Sequence, residues 1–133
     1  MLVAAAIVLW PIVARAQAQD AAGAANEPTT MIVLDGSGSM WGKLGKDVKA
    51  YAVRDAFKLA LPKVPQADFG LIAFGHRRTG DCSDVEAVVP SAKGAGERIA
   101  AFLEKFNPKG KGPVGTAIKI AAETLAASKG SGR

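Results

Sequence analysis

The chain has 133 residues, with 17 Lys+Arg against 12 Asp+Glu and a single His, giving a formal charge of +5. Hydrophobic residues make up 49% and charged residues 22%, which fits one soluble globular domain and excludes a disordered chain. The 15 Gly and 7 Pro break every long stretch and exclude a coiled coil, while one Cys and one His exclude an internal disulfide framework, a cysteine-based zinc site and multi-histidine clusters.

Residues 2–13, LVAAAIVLWPIV, form an almost unbroken apolar run. It is shorter than the roughly 20 residues a membrane span needs. Small residues follow, and both Ala14-x-Ala16 and Ala16-x-Ala18 fit the pattern that signal peptidase reads. The expectation is a secretory signal peptide over residues 1–18, cut after Ala16 or Ala18. The protein would then be secreted or periplasmic, with no stable membrane span after cleavage. No Lys or Arg precedes Arg15, so the basic start of such a leader is missing and the true start is expected upstream. The alternative for this run is a short buried helix. Residues 19–28, small and polar without an apolar period, read as a linker, and the folded region as residues 29–133.

In chain order, 29–35 (TTMIVLD) reads as a strand buried on both faces. Residues 46–61 read as a helix, with Val48, Ala52, Ala56 and Ala60 in one row and Val53, Phe57 and Leu61 in the next. Pro62 ends it. Residues 67–74 (ADFGLIAF) give a second strand and 84–89 (DVEAVV) a third. Residues 97–106 form a helix with Ile99, Phe102, Leu103 and Phe106 on one side. Residues 114–127 form another, with Val114, Ala117, Ile118, Ala121 and Leu125 in phase and Pro113 at its start. The order β-α-β-β-α-α points to α/β layering.

The loop after the first strand carries the chemistry. Asp35-Gly36-Ser37-Gly38-Ser39 sets one carboxylate and two hydroxyls at alternate positions past the carboxyl end of a strand. Ligand sites in open α/β sheets lie there. The intervening glycines allow a turn that folds the three oxygens toward one point. Carboxylate and hydroxyl oxygens are hard ligands suited to Mg²⁺ or Mn²⁺. One Asp leaves about one unit of the ion's charge uncancelled, which favours a partner's Asp or Glu as the next ligand. Two alternatives stay open. One is a nucleotide-binding or hydrolysing enzyme using residues 36–43 as a degenerate phosphate loop ending in Gly42-Lys43, in which Ser37 and Leu44 replace the required Gly and Ser/Thr. The other is a plain Gly/Ser turn with an Asp cap.

MIVLDGSGSMWG resembles the opening of a von Willebrand factor type A domain, whose metal-ion-dependent adhesion site begins Asp-x-Ser-x-Ser. ADFGLIAFGHRRTGDCSDVE and NPKGKGP resemble the bacterial secreted members in particular. The resemblance covers residues 29–128. It implies a Rossmann-like, three-layer α/β/α fold and a non-catalytic, metal-dependent protein-binding domain. Asp35, Ser37 and Ser39 would be metal ligands, and the partner a protein with an exposed acidic residue. Three departures follow from the same comparison. The family's Thr ligand before the Pro of the last loop is Gly112 here, with Thr116 a weaker substitute. The family's further Asp follows a strand that does not occur in this chain, so only the N-terminal half of the sheet is expected. A truncated chain without autonomous function is then a third reading. Cys82 would pair, in related secreted members, with a cysteine of the missing region.

Other residues are weighed beside this loop. His76-Arg77-Arg78 reads as a solvated loop or as a contact for an acidic partner. Trp41 reads as packing under the loop or as an apolar rim contact. Lys105, Lys109 and Lys111 form a second basic stretch that would strengthen attraction for anionic partners. Nucleic acid is not expected, because the charge is modest and no aromatics interleave with it. Neither Ser37 nor Ser39 has a base that the sequence positions, so catalysis is not expected.

Overall fold

A computed structural model describes residues 29–130, with the backbone alone for Lys129 and Gly130. The leader expected over 1–18 and the linker over 19–28 lie outside the described residues. In chain order the elements are β1 (Thr30–Asp35), a 3-10 turn (Gly38–Trp41), β2 (Lys43–Leu44), β3 (Asp47–Val48), α1 (Lys49–Ala60), a second 3-10 turn (Leu61–Lys63), β4 (Asp68–Phe74), β5 (Val85–Lys93), α2 (Gly96–Glu104) and α3 (Val114–Gly130). The main sheet has the order β1-β4-β5. β1 runs parallel to β4, from Thr30 opposite Phe69 to Asp35 opposite Phe74, and β5 returns antiparallel. The parallel pair needs a crossover, and α1 supplies it.

Alternation along the strands sends side chains to two helical layers. Ile32, Leu34, Leu71, Ala73 and Val89 join Val53 and Phe57 of α1 and Ile99 and Leu103 of α2. Met31, Val33, Ile72, Phe74 and Val85 join Ala117, Ile120 and Ala121 of α3 on the other side. Leu71, Ile72 and Ile99 are the largest fully buried apolar side chains, each contributing about 1.5–3 kcal/mol through burial. The α/β class is therefore present, with a mixed sheet and three α-helices among the described residues. No helix among the described residues is long and apolar enough to cross a membrane.

Several boundaries differ from the sequence reading. β1 is half-buried apart from buried Leu34 and exposed Thr30, because it pairs on one side only among the described residues; β4 is buried from Gly70 to Phe74. The helix expected from residue 46 begins at Lys49. Residues 43–48 instead form a small hairpin, turned at Gly45 with φ 63° and tied to the helix by the Lys49 N–H donating to the Gly42 carbonyl. The inward row of α1 is Val53, Phe57 and the following Leu61, while Ala56 and Ala60 face solvent. β5 continues past Val89 to Lys93, through Pro90, which an edge strand tolerates. α2 spans Gly96–Glu104 rather than 97–106, and α3 runs to Gly130. On α3 the row turns inward at Ala117 and Ala121, leaving Val114 and Ile118 exposed. These small residues let the helix approach the sheet closely.

Candidate metal site

β1 and β4 end side by side, Asp35 opposite Phe74, so their following loops emerge at one end of the sheet. The segment after α2 joins them there. Main-chain bonds fasten the three. Gly36 N–H donates to the Phe74 carbonyl at 2.7 Å, Lys109 N–H to Gly36 and Gly75 at 2.9 and 3.0 Å, Gly110 N–H to Gly75 at 2.7 Å, and Gly38 N–H to Gly110 at 3.1 Å. Two glycines make this approach possible. A Cβ on Gly36 would collide with the Phe74 carbonyl, and one on Gly75, at φ 65°, with the Lys111 carbonyl.

On this platform Ser37 N–H donates to Asp35 Oδ1 at 2.7 Å. That bond aims the carboxylate into its own turn. The hydroxyls of Ser37 and Ser39 share a hydrogen bond at 2.8 Å. Asp35 and Ser37 are half-buried and Ser39 is exposed. The structure thus draws the two hydroxyls together and clamps the carboxylate to the same turn. Among the described residues no group of three or more His, Cys, Asp or Glu could hold a metal ion. The oxygen set here is of another kind, one carboxylate and two hydroxyls. Such a set fits a hard divalent cation that keeps waters and accepts further ligands. A cavity of about 410 Å³ borders it, lined by Val33, Asp35, Phe74, Gly112, Val114 and Ile118.

Gly112 lies against Ser37, but it brings no side-chain oxygen. Thr116 stands exposed on the first turns of α3. Trp41 closes the 3-10 turn that contains Ser39. Its indole N–H donates to the Pro108 carbonyl at 2.8 Å, yet the residue stays 43% exposed. His76 lies inside, its side chain 9% exposed, donating from Nε2 to Glu86 Oε2 at 3.0 Å and meeting Phe102 edge to face. Arg77 and Arg78 are exposed, but carboxylates of the same region already answer their charges. Arg77 pairs with Asp84 and Glu86, and Arg78 with Asp81 at 2.9 Å. Lys43 sits on the exposed hairpin, and that hairpin separates the glycine loop from α1. A phosphate loop leads directly into a helix whose N-terminus faces the anion; residues 36–43 do not.

Sequence reasoning missed three features. Asp84 is fully buried and accepts from the Arg77 and Arg78 N–H groups at 2.8 and 3.0 Å and from Arg77 Nε at 2.7 Å. Burial alone would raise its pKa. The bonds from the Arg78 N–H, the Arg77 guanidinium and the Arg77 N–H, with the Arg77 charge, outweigh this and hold it at about 2. Asp81 is also held below the usual carboxylate range, by the Ser83 hydroxyl and amide. Asp81 and Asp84 flank Cys82 and do not read as an acid/base pair; the available signal for Asp84 was its place at the start of the expected strand 84–89, which in the structure begins one residue later, at Val85. The second miss is Tyr51, whose ring meets Trp41 edge to face and lies under the Arg54 guanidinium, and the third is the stitching at Gly75 and Gly110. Neither a protein-family model, nor a curated protein, nor a solved structure matches this chain.

Proposed function

We propose that the protein is a metal-dependent protein-binding domain of the von Willebrand factor A kind, acting in the secreted or periplasmic space. In this reading the fold is Rossmann-like, with β1 and β4 as its parallel core and helices on both faces. Asp35, Ser37 and Ser39 hold Mg²⁺ or Mn²⁺. The bound ion supplies a positive centre that an outside carboxylate can complete. The observation that carries this reading is the Ser37–Ser39 hydroxyl contact at 2.8 Å, made beside Asp35 in the turn at the carboxyl end of the parallel pair; the Asp35–Ser37 N–H bond is shared with a plain Asp-capped turn. The chain's own residues orient the site. The Ser37 N–H fixes the Asp35 carboxylate, and the backbone bonds through Gly36, Gly75 and Gly110 keep the turn from spreading. We read the site as binding rather than catalytic, because the serines are engaged with each other and His76 with Glu86.

The test is calorimetric titration of Mg²⁺ into the wild type, Asp35→Ala and Asp35→Asn. The Asn variant keeps an acceptor for the Ser37 N–H while removing the charge. Wild type should give a saturable heat that both variants lose. Equal heats in all three proteins would remove the reading.

A further inference from the structure

The surface beside the serine turn carries exposed apolar groups adjoined by lysines. Trp41 is 43% exposed, Leu44 66% and Tyr51 46%. The Trp41 and Tyr51 rings meet edge to face with centroids 5.9 Å apart. The Arg54 guanidinium lies over the Tyr51 ring, 4.9 Å from its centroid. These groups are held in place. The Trp41 indole N–H is bonded to Pro108, and the Lys49 N–H ties the start of α1 to Gly42 at 3.0 Å. The patch is also continuous with the site, because Gly42 N–H donates to the Ser39 carbonyl at 3.0 Å.

Trp, Tyr and Arg are the residue types that most often carry binding energy at protein interfaces. Rings fixed before binding lose little conformational freedom on contact. The surrounding charge states what kind of partner fits. Lys43, Lys46 and Lys49 make no ion pair among the described residues, whereas Arg54 is paired with its neighbour Asp55 at 3.1 Å, so the open positive charge here is that of the lysines. The only other carboxylate between Gly42 and Arg54 is Asp47. The hairpin and the first turns of α1 that adjoin the rings therefore carry three lysines without an ion pair, with Lys49 reaching over Gly42. The Trp41 and Tyr51 rings stand nearly perpendicular, which does not match the parallel ring faces on which successive nucleic-acid bases stack.

We propose that Trp41, Tyr51 and Arg54 form the docking surface for an acidic protein segment bearing a bulky apolar side chain. The apolar side chain seats on Trp41 and Tyr51, flanking Asp or Glu residues meet the lysines and Arg54, and one acidic residue reaches the Asp35–Ser37–Ser39 turn. This last step rests on the metal-site reading given above; the seating on the aromatic rim does not.

The experiment uses the 133-residue chain and fluorescein-labelled 12-residue peptides on a Ser/Gly background. One peptide carries three Asp and a Trp. Controls replace the Trp by Ala, or the Asp residues by Lys. Anisotropy is read with Mg²⁺ and with EDTA, beside the Mg²⁺ heat of each protein. Wild type should bind the Asp/Trp peptide about tenfold tighter than either control. Tyr51→Ala, in the exposed first turn of α1, and Arg54→Glu, half-buried one turn further on, should weaken it about tenfold and leave the Mg²⁺ heat unchanged. Trp41→Ala should weaken the peptide about tenfold as well, but because its indole N–H anchors the turn carrying Ser39 to Pro108, only Tyr51→Ala and Arg54→Glu serve as the variants of unchanged Mg²⁺ heat. Equal binding of all peptides, or wild-type affinity in both Tyr51→Ala and Arg54→Glu, would overturn the proposal. So would equal competition by a single-stranded oligonucleotide. If the rim variants lose peptide binding while Asp35→Asn keeps a wild-type Mg²⁺ heat, the metal reading falls and the docking surface stands.

Discussion

Gly112 stands beside Ser37: a Cβ built on Gly112 would lie 4.0 Å from the Ser37 Cβ and 3.8 Å from the edge of the Phe74 ring. Both are ordinary contact distances. The position therefore has room for a side chain that the sequence does not provide. It also precedes Pro113, which favours the extended backbone that β-branched residues accept. Gly112→Thr should leave stability within about 0.5 kcal/mol of wild type. Its hydroxyl should tighten Mg²⁺ binding about tenfold. Gly112→Val, with the same shape and no oxygen, should match the stability and show no tightening. Thermal melts and calorimetry separate the two effects.

Thr116 offers the complementary control. It is exposed on α3, and the space next to Ser37 belongs to Gly112. Thr116→Ala should therefore leave the Mg²⁺ heat at the wild-type value. A reduced heat would bring Thr116 into the ligand set.

The Asp84 carboxyl titrates at about 2 in the folded chain, against an ordinary value of 3.8. The folded state holds this proton less readily than the unfolded one. Its contribution to stability is thus fully present above the ordinary value and is lost as pH falls through 3.8 toward about 2. Melts from pH 5 to pH 2 should show a decline that is shallower in Asp84→Asn. At neutral pH, Asp84→Ala leaves the Arg77 and Arg78 N–H groups without their acceptor and should cost about 2–3 kcal/mol. An unchanged melting temperature in that variant would show that the loop holds by other means.

Gly75→Ala tests the stitching directly. The substitution meets both a positive φ of 65° and the Lys111 carbonyl. It should destabilise by more than about 2 kcal/mol and weaken Mg²⁺ binding at a distance from the oxygens. Gly38→Ala, where an added Cβ meets nothing within 4 Å, should be nearly silent in stability. Chemical denaturation of the two variants gives the comparison.

β1 and β4 were legible because their apolar runs are short, rich in branched residues and bounded by Gly or Asp, whereas β5 was read four residues short at Pro90 and β2 and β3, two residues each, were not read as strands. Asp68–Phe74 was read almost to the residue, since β4 is buried on both faces and its pattern is continuous. The start of α1 was not legible. Lys46, Asp47 and Val48 suit a helix locally, but Gly45 and the Lys49–Gly42 bond commit them to a hairpin. The exposed Val114 and Ile118 have the same origin: helical phase marks a stripe, and the sheet contacts only part of it. At the site, the Asp35–Ser37–Ser39 turn was visible from its spacing. Its supports were not, because Gly75, Gly110 and Pro108 meet it only in the folded chain through backbone groups that carry no side-chain signature.

The loops above the sheet are sewn together by peptide groups of Gly36, Gly38, Gly75, Lys109 and Gly110. Leu44, Tyr51 and Arg54 take no part in that seam. Side chains at those places can be exchanged without unpicking it, so the outer surface can vary while the frame beneath keeps its shape.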